Sequence, residues 1–351
     1  MNKFELSRKV AGNNLRSMEG MRGFAVFLVF LVHYATLADP AGEVWLSGLL
    51  HSMGNAGVDL FFVLSGFLIY GSLMARKQAF LPYMGRRIQR IYPAFLAVFA
   101  AYCVLSFVFP DQSKIPQEGA FWYLLQNLLL LPGMLPIEPM ITVAWSLSYE
   151  MFYYLVMPVA VLFLRPLEAN RRVAVILAMA ILTVIYCVAF GGHLRLIMFM
   201  SGMLLHEAVK RGSAPGGVVG ALALVLGLAV TMLPVGGSIE ILVLFVGFYL
   251  FCLHCFVQSE GWLARIFTWT PMRRLGNMSY SYYLIHGLAL KAAFMVLPSG
   301  RMFLVLLPVL FAWTLLPSMA LFLLVERPLS LAPVKAAPMP PVVPGKAGSP
   351  G

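Results

Sequence analysis

Charged side chains make up only 11% of this 351-residue chain, against 61% hydrophobic residues. Soluble domains carry roughly 25% charged and 45–50% apolar residues, so the shortage excludes a soluble globular protein. Cysteine is scarce as well: Cys103, Cys187, Cys252 and Cys255 all lie within apolar runs, which excludes a secreted disulfide framework. The one close pair, in Cys252-Leu253-His254-Cys255, has no second ligand pair beside it. It reads as small buried packing residues, and no metal is expected. No A-x-A cleavage site follows the first apolar run, so the basic N-terminal segment is expected to stay attached.

What the chain does have is apolar runs long enough to cross a hydrocarbon core of about 30 Å, which takes about 20 helical residues. Read in order they predict spans near 23–38, 56–74, 91–109, 142–164, 173–190, 195–209, 217–233, 239–257, 275–297 and 302–325. The expectation is an all-α, polytopic transmembrane bundle of about ten helices. The run Phe121 to Leu131, bounded by Gly119 and by Pro132-Gly133, is too short to count and reads as an interfacial or re-entrant helix. With that choice, 21 of the 25 lysines and arginines fall on one side. The positive-inside bias then sets both termini in the cytoplasm. It also makes the formal charge of +11 a topology signal, with no nucleic-acid partner expected. The chain divides into a basic cytoplasmic segment (1–22), a membrane domain (23–328) and an unstructured tail rich in Pro, Gly and Ala (329–351). Neither a soluble domain nor a solenoid repeat is left over, so chemistry must sit in the bundle or its loops.

Ionisable groups inside a span are costly and usually face a bundle interior, which makes each a candidate. Arg22 and His33 stand eleven residues apart, about three helical turns, on one face and about 16 Å apart along the axis. Their spacing suits a ligand with an anionic cytoplasmic end and a reactive end deep in the membrane, or else a helix-end anchor and an unrelated histidine. Counted from the expected span ends, Asp59 and Glu150 fall in the outer half with His33, where the three could converge. A carboxylate beside a histidine suits general-base work, although structural hydrogen-bonding pairs have the same sequence signature, and outer-interface capping serves Asp59 equally well. His286, in the ninth span, reaches a similar depth, and Lys291 is expected to snorkel outward. On the cytoplasmic side, Arg86, Arg87 and Arg90 offer guanidinium forks that bind phosphates bidentately. A plain lipid-headgroup cluster accounts for most such arginines.

Taken together and in order, the motifs resemble the acyltransferase 3 family of multi-pass bacterial membrane acyltransferases. The resemblance rests on the blocks from Leu15 to His33, Gly57-Val58-Asp59 to Phe67, Arg86-Arg87-Ile88-Gln89-Arg90 and Trp145-Ser146-Leu147-Ser148-Tyr149-Glu150. Leu275 to His286, which includes Tyr280, and Val325-Glu326-Arg327-Pro328 complete it. One departure is Met18-Glu19-Gly20 in place of the usual Leu-Asp-Gly. The resemblance implies an inner-membrane O-acyltransferase with acyl-CoA as donor, acetyl-CoA being the commonest and succinyl remaining open. It implies a carbohydrate-type acceptor such as a surface polysaccharide or glycoside. Some family members carry a fused extracytoplasmic hydrolase-like domain. Its absence from this chain leads us to expect a membrane domain acting alone or with a separate polysaccharide-assembly partner.

In that reading Arg22, Arg86, Arg87 and Arg90 bind the donor. His33 acts as general base or accepts the acyl group itself, and Glu150 or Asp59 orients it. His286, Tyr280, Trp145 and Ser146 are further candidates. A transporter or exporter is the competing class, against which no two-fold repeat and no paired broken helices are detected. An inactive sensing relative is a third reading.

Overall fold

The structure is a computed structural model, and it describes Phe4, residues 14–297 and residues 303–331. The expected tail from 332 onward and most of the segment 1–13 lie outside the described residues. Helices dominate, and no strand forms among the described residues. Lipid offers the backbone no hydrogen-bonding partner, so an apolar run that spans it must satisfy its own amides as a helix.

Thirteen α-helices follow one another among the described residues: α1 (Asn14–Ala38), α2 (Trp45–Ala75), α3 (Phe80–Val108), α4 (Ala120–Leu128), α5 (Ala144–Leu164), α6 (Ala169–Phe190), α7 (Ile197–Arg211), α8 (Gly217–Val230), α9 (Gly237–Val257), α10 (Trp262–Ile266), α11 (Thr270–Asn277), α12 (Ser279–Phe294) and α13 (Phe303–Leu321). A π-helical segment, Phe322–Ser330, continues α13. Seven helical segments are long and apolar enough to cross a membrane: α1, α2, α3, α5, α6, α9 and α13 with its π extension. Helices α7, α8 and α12 are shorter, at 15, 14 and 16 residues.

Several boundaries differ from those expected: α1 begins at Asn14 and not at 23, the π segment carries the last helix to Ser330, inside the expected tail, and three more bear on the site. Helix α2 starts at Trp45, eleven residues before the expected 56, because polar His51, Ser52 and Asn55 interrupt the apolar run but not the helix. His51 Nδ1 lies 3.1 Å from Thr36 Oγ1 on α1. Helix α3 starts at Phe80, so Arg86, Arg87 and Arg90 sit on its first turns and not before it. The expected span 275–297 is broken at Met278, between α11 and α12. At Gly276 a Cβ would stand 1.7 Å from the Glu19 carbonyl oxygen of α1, so only glycine allows that approach.

Helix α1 is the central post, 67% buried over its apolar stretch, whereas α6 is 11% buried and lies at the periphery. Gly66 of α2 and Gly202 of α7 let those backbones touch, since a Cβ on either would come within 2.2 Å of the opposing carbonyl. Beside that contact Phe199 stacks on Phe62 and Tyr153, at ring distances of 4.6 and 4.1 Å. Between α1 and α2 the chain turns at Asp39, whose carboxylate accepts the amides of Val44 (2.9 Å) and Glu43 (3.1 Å). Those bonds, Val44's first, hold the Asp39 carboxyl below its ordinary value.

Cross-links gather the basic clusters at one end of the bundle. Arg165 caps the last carbonyls of α2, Arg172 forks onto Glu207, Arg211 donates to Asn170, and Arg273 pairs with Glu19. We call this the basic end.

Candidate active site

A cavity of about 780 Å³ opens among α1, α2, α3, α5, α12 and the π segment at the basic end. Five arginines line it: Arg22, Arg86, Arg87, Arg90 and Arg327. Glu150 is its single lining carboxylate among the described residues. A volume of this size suits a cofactor-sized ligand.

Its arginines are held in different ways. Arg90 pairs with Glu326 at 2.6 Å, and that carboxylate is fully buried. Glu326 also accepts the Ser281 amide (3.1 Å) and hydroxyl (2.5 Å), so it ties α3 to α12 and the π segment. Arg90 lies over the Tyr280 ring, whose hydroxyl donates to the Ile91 carbonyl at 2.7 Å. Arg87 sits between the rings of Tyr83 and Tyr154, 5.3 and 5.2 Å from their centroids. It donates to Ser72 Oγ at 3.3 Å, and its buried Nε has no partner. Arg86 donates to Gln78, and Arg22 to Ser279 Oγ at 3.1 Å. Arg86 and Arg87 therefore meet neutral acceptors and carry charge that an anionic ligand can take up.

Farther from the basic end, Glu150 Oε1 accepts from Tyr154 (2.5 Å) and Ser65 (3.2 Å). At the same end of the cavity the Ser146 and Tyr283 hydroxyls meet at 2.6 Å. Beyond them lies a second pocket, of about 140 Å³, lined by His33, Tyr102, Val143, Leu284, Gly287 and Lys291 among others. His33 packs against His286 at a ring distance of 5.0 Å. His286 Nδ1 bonds the Tyr282 and Tyr283 carbonyls, both at 2.9 Å, which leaves its buried Nε2 without a partner.

The structure thus brings Arg22, Arg86, Arg87, Arg90, Tyr280, Ser146 and Glu150 onto one cavity, and His33 with His286 beside it. Asp59 does not join them. The early start of α2 places it in mid-helix, where it pairs with Arg195 of the short turn just before α7. Glu150 turns to Tyr154 and Ser65, so neither expected carboxylate orients His33. Trp145 packs edge-on against Phe62 and Tyr149, at ring distances of 6.4 and 5.4 Å, and does not line the cavity. Sequence reasoning did not assign Glu326, Arg327, Tyr154, Ser65 and Tyr283 to the site. Glu326 had a signal, an acidic residue directly after the last apolar run, and Tyr154 had another, four residues after Glu150. Ser65 comes from a different helix and had none.

Chemically, the arrangement can hold an anion at one end and a polar reacting group at the other, with an imidazole next to it. Comparisons with known proteins identify the family. The acyltransferase domain family matches residues 15–323. O-acetyltransferase OatA of Staphylococcus aureus is 26% identical over 284 residues, covering 69% of this chain and 46% of that protein. Exopolysaccharide production protein ExoZ of Rhizobium meliloti is 26% identical over 266 residues, covering 68% and 78%. Acyltransferase MdmB of Streptomyces mycarofaciens is 30% identical over 164 residues, covering 45% and 42%. The chain thus spans about half the length of the first of these relatives. No solved structure matches it. With a family match over most of its length and a helical bundle built around the family's motifs, the chain belongs to the acyltransferase 3 family.

Proposed function

We propose that the protein is a membrane-bound O-acyltransferase. It takes an acyl group, acetyl first among candidates, from acyl-CoA bound at the basic end and transfers it to a hydroxyl of a carbohydrate or glycoside acceptor. The basic end faces the cytoplasm in this reading, as the distribution of lysine and arginine requires, and the membrane is the bacterial inner membrane. The name of ExoZ supports a surface or exopolysaccharide as the acceptor class, and that of OatA supports O-acetyl transfer.

The observation that carries the proposal is the cavity itself, five arginines at one end and a polar floor beside His33 at the other. Arg86, Arg87 and Arg327 receive the donor's phosphates, Arg22 lines the path of its pantetheine arm, and Arg90 is locked in place by Glu326. His33, which makes no hydrogen bond among the described residues, is left to take the proton of the acceptor hydroxyl. Glu150 shapes the floor from the donor side.

Binding of acetyl-CoA to the purified protein in detergent tests this, with wild type set against an Arg86→Ala, Arg87→Ala double variant. These two are chosen because removing Arg90 would strand the buried Glu326 charge. Saturable binding lost in the variant is the expected result. A folded wild type that does not bind acetyl-CoA would overturn the proposal.

A further inference from the structure

Helix α12 carries three residues at steps of three, each step a rise of about 4.5 Å. Tyr280 lies under Arg90 in the large cavity, and His286 lies against His33. Tyr283 stands between them, buried, with its ring 6.3 Å from that of His286. Its hydroxyl approaches Ser146 Oγ at 2.6 Å and the Val143 carbonyl at 3.1 Å, and Ser146 Oγ approaches the same carbonyl at 3.1 Å. Tyr283 and Ser146 line the large cavity and Val143 the small pocket, so this triangle is the wall between the two.

The triangle has three contacts but only two hydroxyl protons. Ser146 alone can keep the Val143 carbonyl satisfied, which leaves the Tyr283 proton available to another acceptor without orphaning any buried group. A donor whose phosphates sit among the arginines reaches this wall with its thioester end. We propose that the Tyr283 hydroxyl donates a hydrogen bond to the thioester carbonyl oxygen of the acyl donor, with Ser146 as the positioning residue that frees it to do so. The assignment rests on the acyl-CoA reading of the cavity and adds a group that touches the reacting atoms.

In the transfer step the acceptor oxygen bonds to the acyl carbon while its proton passes to His33, and the carbonyl electron pair moves onto oxygen. Tyr283 stabilises that oxyanion. Its collapse breaks the carbon–sulfur bond, and the thiolate leaves with the proton returned from His33. A fixed donor aimed at developing oxyanion charge acts without reorganisation at the moment of reaction.

The test needs no acceptor. It compares acetyl-CoA with S-ethyl-CoA, a thioether in which a methylene replaces the carbonyl, on wild type, Tyr283→Phe and Ser146→Ala. Wild type is expected to prefer acetyl-CoA about tenfold, the worth of one good hydrogen bond. Tyr283→Phe should bring the preference to about one and leave S-ethyl-CoA affinity unchanged, with Ser146→Ala in between. The carbonyl stretch of bound [1-13C]acetyl-CoA should move to lower frequency in wild type and return in Tyr283→Phe. Equal affinity for the two ligands in wild type, or an unshifted carbonyl, overturns the role of Tyr283 and leaves the donor site standing. Failure of wild type to bind either ligand overturns the donor site and this assignment with it. The wild-type measurements can overturn the assignment even if a variant does not fold.

Discussion

The two hollows on either side of the Tyr283–Ser146 wall differ in every respect that matters to chemistry. One is about 780 Å³ and lined by five arginines. The other is about 140 Å³ and holds His33 among mainly apolar neighbours. In the function proposed above, affinity and reactivity would thereby be separated: phosphate recognition needs several cations in a roomy place, and proton transfer needs one imidazole held where water is scarce. The comparison also shows what a buried ion pair does not mean. Arg90–Glu326 stands on the cavity wall, whereas Arg172–Glu207, with Tyr70 donating to the carboxylate at 2.7 Å, is sealed between α2, α6 and α7. The chemistry of the two pairs is the same, and only their neighbours differ.

The largest effect should come from the small pocket. His33→Ala is expected to lower acyl transfer by about 10²- to 10⁴-fold while acetyl-CoA still binds with wild-type affinity. Full transfer in that variant, followed by coenzyme A release in membranes, would break the division between the two hollows. Next, Glu326→Gln and Glu207→Gln should each destabilise the detergent-solubilised protein by about 3–5 kcal/mol, the usual cost of breaking a buried pair. Melting curves with and without acetyl-CoA sharpen the contrast, since only Glu326→Gln should also weaken the donor's stabilising shift. A smaller effect is expected from Arg87→Ala, a loss of about 10- to 100-fold in acetyl-CoA affinity. Titration calorimetry would measure it, and an unchanged affinity would remove Arg87 from the donor site.

The smallest effect lies outside both hollows. Because the folded-state value of Asp39 lies below the ordinary 3.8, its contribution to stability is present above that value and fades as pH falls through the folded value. Asp39→Asn should therefore melt slightly below wild type at pH 7, and the two curves should converge below about pH 4. A gap that stays constant with pH would mean that the carboxylate's charge is not what holds the turn.

Much of the site was legible in the sequence because it rests on spacing within single helices. Arg22 and His33 share α1, and the arginines of α3 fall within one short stretch. Each is placed as soon as the helix is recognised, and all of them line one of the two hollows. Asp59 was misplaced for a reason of the same kind. Its depth was counted from the end of an apolar run, and α2 extends well past that run because His51 and its polar neighbours are accommodated within the helix. The partnership of Ser65 with Glu150 had no local trace, since it joins α2 to α5 across the cavity.

By itself, then, the sequence determined that this is a helical membrane bundle with one basic end and a histidine deep in its first helix. Long apolar runs in lipid leave the backbone no other way to satisfy its amides, and the motifs follow the chain in order. Only the tertiary structure decided which charges face a hollow and which are sealed away. That choice depends on how closely helices approach, at contacts such as Gly66–Gly202 and Gly276–Glu19, and close approach is a property of pairs of helices that no single stretch of residues encodes.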